Sequence, residues 1–191
     1  MAKFKGSYAS FKVTTPKLEA FYQDLAEPDS VSEKYQSGVV IDDSPECTSM
    51  VNRLLAFQNE ELEKAGEEPL DTLLCLKDEK IKDEDTGKWT VKTGRKLMFF
   101  KSASQDRFSV VGPDKRPIDP ASISKGDTIR VNAQPIFGFM SGDPYVSFFL
   151  NAVQLVEGGG GSGVDAFDDE SNGAGDVDIP FENTSDAMDL V

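Results

Sequence analysis

The chain has 191 residues and a formal charge of −14, and it contains no histidine. That absence removes Ser-His and Cys-His nucleophile pairs, histidine general bases and the usual zinc or iron ligand sets. The two cysteines, Cys47 and Cys75, form no CxxC pair. They read as reduced, buried thiols of a cytosolic protein, with no metal site implied.

The charge is uneven along the chain. Residues 158–191 hold nine acids and no Lys or Arg, which leaves residues 1–157 with 25 acids against 20 bases. The pI near 4.4 therefore describes the tail more than the body. Nucleic acid stays open as a partner, because binding follows local patches. The opening residues MAKFKGSYAS carry no apolar signal core, and no stretch has the length of a membrane span.

In chain order, Ser7–Thr14 reads as a strand that ends at Thr15-Pro16. Pro16–Ser37 is polar, with one helical turn expected around Leu18–Leu25. Gly38–Ile41 (GVVI) is a short buried strand. The clearest helix follows. Ser44 is its cap, Pro45 its first residue, and Glu46 suits the positive N-terminal end. Cys47, Met50, Val51, Leu54 and Leu55 line one apolar face, and Lys64 and Gly66 close the helix. Glu60, Glu61 and Glu63 read as its solvated side.

Leu70–Leu76 is apolar and fits either helix or strand. Asp83–Gly87 is a turn. Strands then dominate: Lys88–Thr93, Lys96–Ala103, Arg107–Gly112, Thr128–Phe137 and Tyr145–Val156. Turn signals separate them, and the Gly-rich Gly138–Asp143 connection reads as a mobile flap. Short strands at regular spacing with one inserted helix predict a small β-barrel.

The segment Thr86–Gln105, TGKWTVKTGRKLMFFKSASQ, carries five bases and no acid. Lys88, Lys92, Arg95, Lys96 and Lys101 alternate there with Trp89, Phe99 and Phe100. Such a pattern suits single-stranded nucleic acid. Lys and Arg follow the phosphates, while rings stack on bases at about 1–3 kcal/mol per base. Strand alternation puts Leu97 and Phe99 on one face and Lys96, Met98 and Phe100 on the other. Phe99 is assigned to the core beside Leu97, and Phe100 to the binding set. Arg107, Lys12 and Tyr145 complete the candidate DNA-binding residues.

The body resembles the single-stranded DNA-binding proteins of short-tailed lytic phages. GVVIDDSPECTSMVNRL, FSVVGPDKRPI and VSFFLNAVQLVEGGGG carry the resemblance, in that order. It implies an all-β fold with one inserted helix, an OB-fold (a five-stranded Greek-key barrel), over residues 1–157. It also implies sequence-independent binding of single-stranded DNA and a homodimer, while the lack of histidine and of a thiol pair leaves no enzymatic activity or cofactor to expect. The setting is DNA replication, recombination and repair in the cytoplasm of the infected host cell.

Residues 158–191 then form a flexible Gly/Asp-rich acidic tail. The resemblance implies that it contacts the phage DNA polymerase and helicase-primase. Its segment DVDIPF is also similar to the tip of bacterial single-stranded DNA-binding proteins, although this chain continues ten residues further. The candidate hooks are Phe167, Asp168, Asp169, Asp176, Asp178, Ile179 and Phe181, with Leu190-Val191 as a second possibility. Two other readings stay open. One is an acidic interaction module or DNA mimic that binds a basic host factor. The other is a nuclease built on carboxylates such as Asp42-Asp43 and Asp83-Glu84-Asp85.

Overall fold

A computed structural model describes residues 6–84 and 86–158, except the side chains of 89, 91 and 92. Its strands are β1 (Ser7–Tyr8), β2 (Val13–Thr14), β3 (Leu18–Asp24) and β4 (Tyr35–Ile41), followed by helix α1 (Pro45–Ala65). Then come β5 (Lys77–Lys82), β6 (Trp89–Ser102), β7 (Ser109–Val111), β8 (Thr128–Met140) and β9 (Asp143–Glu157).

Five of the strands close a ring. β3 pairs with β4, β4 with β6, β6 with β9, β9 with β8, and β8 with β3. Every pairing in the ring is antiparallel except β6 with β9. This is the five-stranded Greek-key barrel of the OB fold. β1, β2 and β7 extend its edges. β5 and β6 form a hairpin in which Trp89–Lys92 pair with β5 and only Lys96–Ser102 with β4.

The core follows from alternation. Val39, Met98, Phe100, Phe148, Leu150, Ile129, Val131 and Val153 point inward and are almost fully buried. α1 seals the barrel with Cys47, Met50, Leu54, Phe57 and Leu62. The helix begins where the sequence predicts: the Cys47 N–H donates to the Ser44 hydroxyl at 3.2 Å, and Pro45 takes the first position. It ends at Gly66, whose φ of 81° is the left-handed cap conformation. Among the described residues no helix is long and apolar enough to cross a membrane.

Several expectations need correction. Leu18–Asp24 is a strand, with no helical turn, because Leu18 and Ala20 are buried on either side of exposed Glu19. Lys88–Thr93 and Lys96–Ala103 belong to one strand, Trp89–Ser102, which Gly94 bends at φ 87° without breaking it. Gly138–Asp143 is no separate flap. β8 and β9 pair up to Met140 and Asp143, and a two-residue turn at Ser141 (φ 56°) and Gly142 (φ 96°) joins them. Leu70–Leu76 is neither helix nor strand. Gln58 of α1 holds it, donating to Thr72 O at 3.0 Å and accepting from Leu74 N at 2.8 Å. Glu61 is buried against Lys64 at 2.7 Å, so the acidic side of α1 is only partly solvated.

Candidate nucleic-acid interface

The outward side chains of the barrel line up in rows across its strands. One row runs from Tyr22 on β3 through Gly38 on β4 to Phe99 on β6. Glycine in the middle makes the row possible: a Cβ at position 38 would lie 2.8 Å from the Phe99 ring. The next row runs Asp24, Gln36, Lys101, Phe149 and Gln134, crossing all five barrel strands. Within it the Gln36 amide donates to Asp24 Oδ2 at 2.9 Å.

Phe149 is 41% exposed, although both its neighbours are core residues. Tyr8 on β1, 57% exposed, stacks on it with ring centroids 5.8 Å apart and planes 18° from parallel. The pair borders an open depression of about 440 Å³, which Arg107, Gln134 and Asn151 also line. Tyr145 continues the series. Its hydroxyl lies over Gly138, 2.9 Å from where a Cβ would stand. Burial, and the proximity of Tyr8, push its phenol pKa up.

Positive charge converges on the same face. The Lys77 ammonium stands 5.6 Å from the centre of the Phe99 ring, within cation–π range. Partial burial, then Lys77 and Lys34, push the Lys101 pKa below the ordinary lysine value, and Asp29 opposes the shift. The exposed Lys34 and Lys77 thus place their charge close to the partly buried Lys101. The β3 edge is of opposite sign: Asp24, then burial and Asp29, raise the Tyr22 phenol pKa.

Of the residues expected from sequence, Lys101, Arg107 and Tyr145 reach this face. Phe100 does not, and its assignment is corrected. It is fully buried, 4.9 Å centroid to centroid from Phe148, and stacks on nothing in solvent. Alternation along β6 was anchored on the wrong residue. Leu97 is buried on the outer face, beside Val40 and Lys77, so Phe99 shares the outside with it while Met98 and Phe100 go in.

Arg95 and Lys96 are occupied by acids. Arg95 contacts Glu19 at 2.7 Å and Glu79 at 3.7 Å, and Lys96 pairs with Asp78. Lys12 is exposed beside Phe11, whose ring packs on Phe57 and Arg53 of α1. Lys88 is exposed where β5 turns into β6. Positions 89 and 92 lie opposite Lys82 and Lys80, and their side chains are outside the description. Phe167, Asp168, Asp169, Asp176, Asp178, Ile179 and Phe181 lie outside the described residues.

The sequence reading missed Tyr8, Phe99, Phe149, Lys34 and Lys77. Phe149 had a signal: with Val146, Phe148 and Leu150 inward, alternation turns Tyr145, Ser147 and Phe149 out. Lys34 and Lys77 had none, since each sits among acids in sequence and meets Lys101 only through the fold.

No family model matches the chain, and no curated protein matches it. Solved structures do. The single-stranded DNA-binding protein from bacteriophage Enc34 is 13% identical, with a TM-score of 0.58 over 82% of this chain and 87% of that one. The same phage protein in complex with single-stranded DNA is 12% identical, with a TM-score of 0.58 over 82% and 97%. Gp2.5, a single-stranded DNA-binding protein encoded by bacteriophage T7, is 19% identical, with a TM-score of 0.58 over 87% and 100%. The fold of this chain is thus the fold of phage single-stranded DNA-binding proteins.

Proposed function

We propose that the chain binds single-stranded DNA without regard to sequence, on the outer face of β4, β6 and β9. One observation carries the reading: solvent-facing rings, Tyr8 on Phe149 with Phe99 nearby, stand beside a cluster of Lys34, Lys77 and Lys101. Rings offer bases a stacking surface whatever their identity, and lysines offer phosphates charge without reading an edge. Duplex DNA hides its base faces and gains only the second term. The fold shared with phage proteins that bind single-stranded DNA supports the reading, as does the open depression beside Phe149. A DNA mimic needs acids on the face where these lysines converge.

In this reading the protein coats exposed strands during phage DNA replication and recombination, acting as a homodimer in the cytoplasm of the infected cell, and performs no chemistry. Residues 158–191, with nine acids and no base, compete with DNA for the lysines when strands are absent. Once displaced, they offer Phe167, Ile179 and Phe181 to the phage DNA polymerase and helicase-primase, and the acids steer them to basic rims.

The test is fluorescence anisotropy of labelled dT24 against a 24-base-pair duplex. The expected result is tight binding of dT24, weak binding of duplex, and log K falling linearly with log salt by about 0.7 per phosphate contacted. Equal affinity for both, or no binding to either, overturns the reading.

A further inference from the structure

Beyond the groove, the β5–β6 hairpin carries a second set of bases. Lys77 stands opposite Leu97, with its ammonium over the Phe99 ring, so the hairpin begins where the groove ends. From there Lys80 and Lys82 follow along β5, and Lys88 sits across the turn; all three are exposed. Among the described residues, none of these three makes an ion pair.

The acids of the hairpin stand at its two ends. At the barrel, Asp78 holds Lys96, and Glu79 accepts from Thr93 at 2.6 Å beside Arg95. In the turn, Asp83 accepts from the Thr86 N–H and hydroxyl at 2.8 and 2.9 Å, with exposed Glu84 next to it. Between those ends the register sets Lys80 directly opposite Lys92. With the acids standing at the two ends, the exposed Lys80, Lys82 and Lys88 are placed to meet an anion from outside.

We infer that the β5–β6 ribbon is a second phosphate track, on which the strand leaving the groove at Lys77 crosses the free edge of β5 to Lys80, Lys82 and Lys88. The inference rests on the single-strand reading and deepens it by assigning a length to the substrate. The five steps along β5 from Lys77 to Lys82 cover about 17 Å, the axial length of about five stacked nucleotides. A short oligonucleotide fills the groove alone, and a longer one reaches the ribbon.

The experiment compares the full chain with a Lys80→Ala/Lys82→Ala/Lys88→Ala variant on dT8 and dT24 across a salt series. A Lys17→Ala/Lys115→Ala/Lys125→Ala variant removes the same charge elsewhere, and circular dichroism confirms that both variants fold. The expected result is dT8 affinity within two-fold of wild type. For dT24 the ribbon variant loses about ten-fold in affinity, and its salt slope is shallower by about 2, at about 0.7 per phosphate. The control variant loses far less.

Equal losses on dT8 and dT24, or no loss on dT24, overturn the inference while leaving the groove reading intact. A gain on dT8 means that the ribbon holds the acidic tail, and also overturns it. A wild-type chain that binds neither oligonucleotide removes the single-strand reading and this inference with it.

Discussion

Tyr8 lies almost parallel to Phe149, 18° off and 5.8 Å between centroids, and both rings stay open to solvent. They come from opposite ends of the chain. β8 brings them together: Tyr8 pairs with Ile136, and Gln134 of the same strand pairs with Phe149. Two exposed rings at stacking distance form a platform for a third flat partner. Replacing either by Ala should weaken dT24 binding by about 5- to 150-fold, the loss of about 1–3 kcal/mol of stacking. Stability should change little, since neither ring is core. The double variant should lose less than the sum, because each ring orients the other. Anisotropy titrations and thermal melts of the three variants check this.

Phe99 and Phe100 should behave in opposite ways. Phe100 is sealed against Phe148, so Phe100→Ala should destabilise the fold by about 3–5 kcal/mol. Phe99→Ala should leave stability near wild type and cut DNA affinity. Gly38→Ala supplies a second handle on the same ring, because its Cβ would meet Phe99 at 2.8 Å and tilt it off the face. Urea melts beside binding curves separate the two residues, and a Phe100→Ala that melted like wild type would refute this assignment.

Part of this site was legible in the sequence. The helix from Ser44 to Gly66 declared itself through cap, first-turn proline and apolar spacing, and all three hold. The basic-aromatic segment falls on β6, and Lys101 is on the face proposed to bind DNA. What failed was the phase of the alternation. LeuMetPhePhe at 97–100 is apolar on both faces, so period two alone leaves the inside undecided, and only the burial of Leu97 beside Val40 and Lys77 resolves it. The lysine cluster was invisible for another reason. Lys34, Lys77 and Lys101 are brought together by the pairing of β4, β5 and β6, and no local window contains them.

Lys101 links binding to pH. Burial and two neighbouring lysines depress its pKa, which means that its charged form is disfavoured in the folded chain. That cost is present while the amine is protonated. It is relieved as pH rises from the depressed value toward the ordinary lysine value of about 10.4. Lys101→Met should therefore stabilise the free protein at pH 7, and its advantage should shrink as pH climbs through that window. Its DNA affinity should move the other way, falling at pH 7 with a salt slope shallower by about 0.7. Urea denaturation and anisotropy at pH 7, 9 and 10 measure both signs. A variant that lost stability and affinity together would mark Lys101 as a packing residue.

Arg95 should contribute to stability and little to DNA. Its guanidinium lies between Glu19 and the buried Glu79, tying β3 and β5 to β6. Arg95→Met leaves Glu79 with the Thr93 hydroxyl alone, so a loss of about 1–3 kcal/mol is expected. Affinity for dT24 should stay within two-fold, since that charge is already matched by acids. A large drop in affinity without destabilisation would show that Arg95 swings out to the strand.

Deleting residues 158–191 tests the competition directly. A coil of 34 residues, the reading its composition gives, spans about 30 Å, enough to reach across a domain whose radius of gyration is about 15 Å. Under the proposed competition, its nine negative charges and the phosphates of DNA seek the same lysines. The truncated chain should bind dT24 more tightly than the full chain at 50 mM salt. The gap should close toward 300 mM salt, where screening shortens the reach of both anions. If Lys34, Lys77 and Lys101 are what the tail occupies, Lys101→Met should also narrow the gap at low salt, because it removes part of what both ligands share. Equal affinity of the two chains at 50 mM salt would sink the competition and leave the groove untouched.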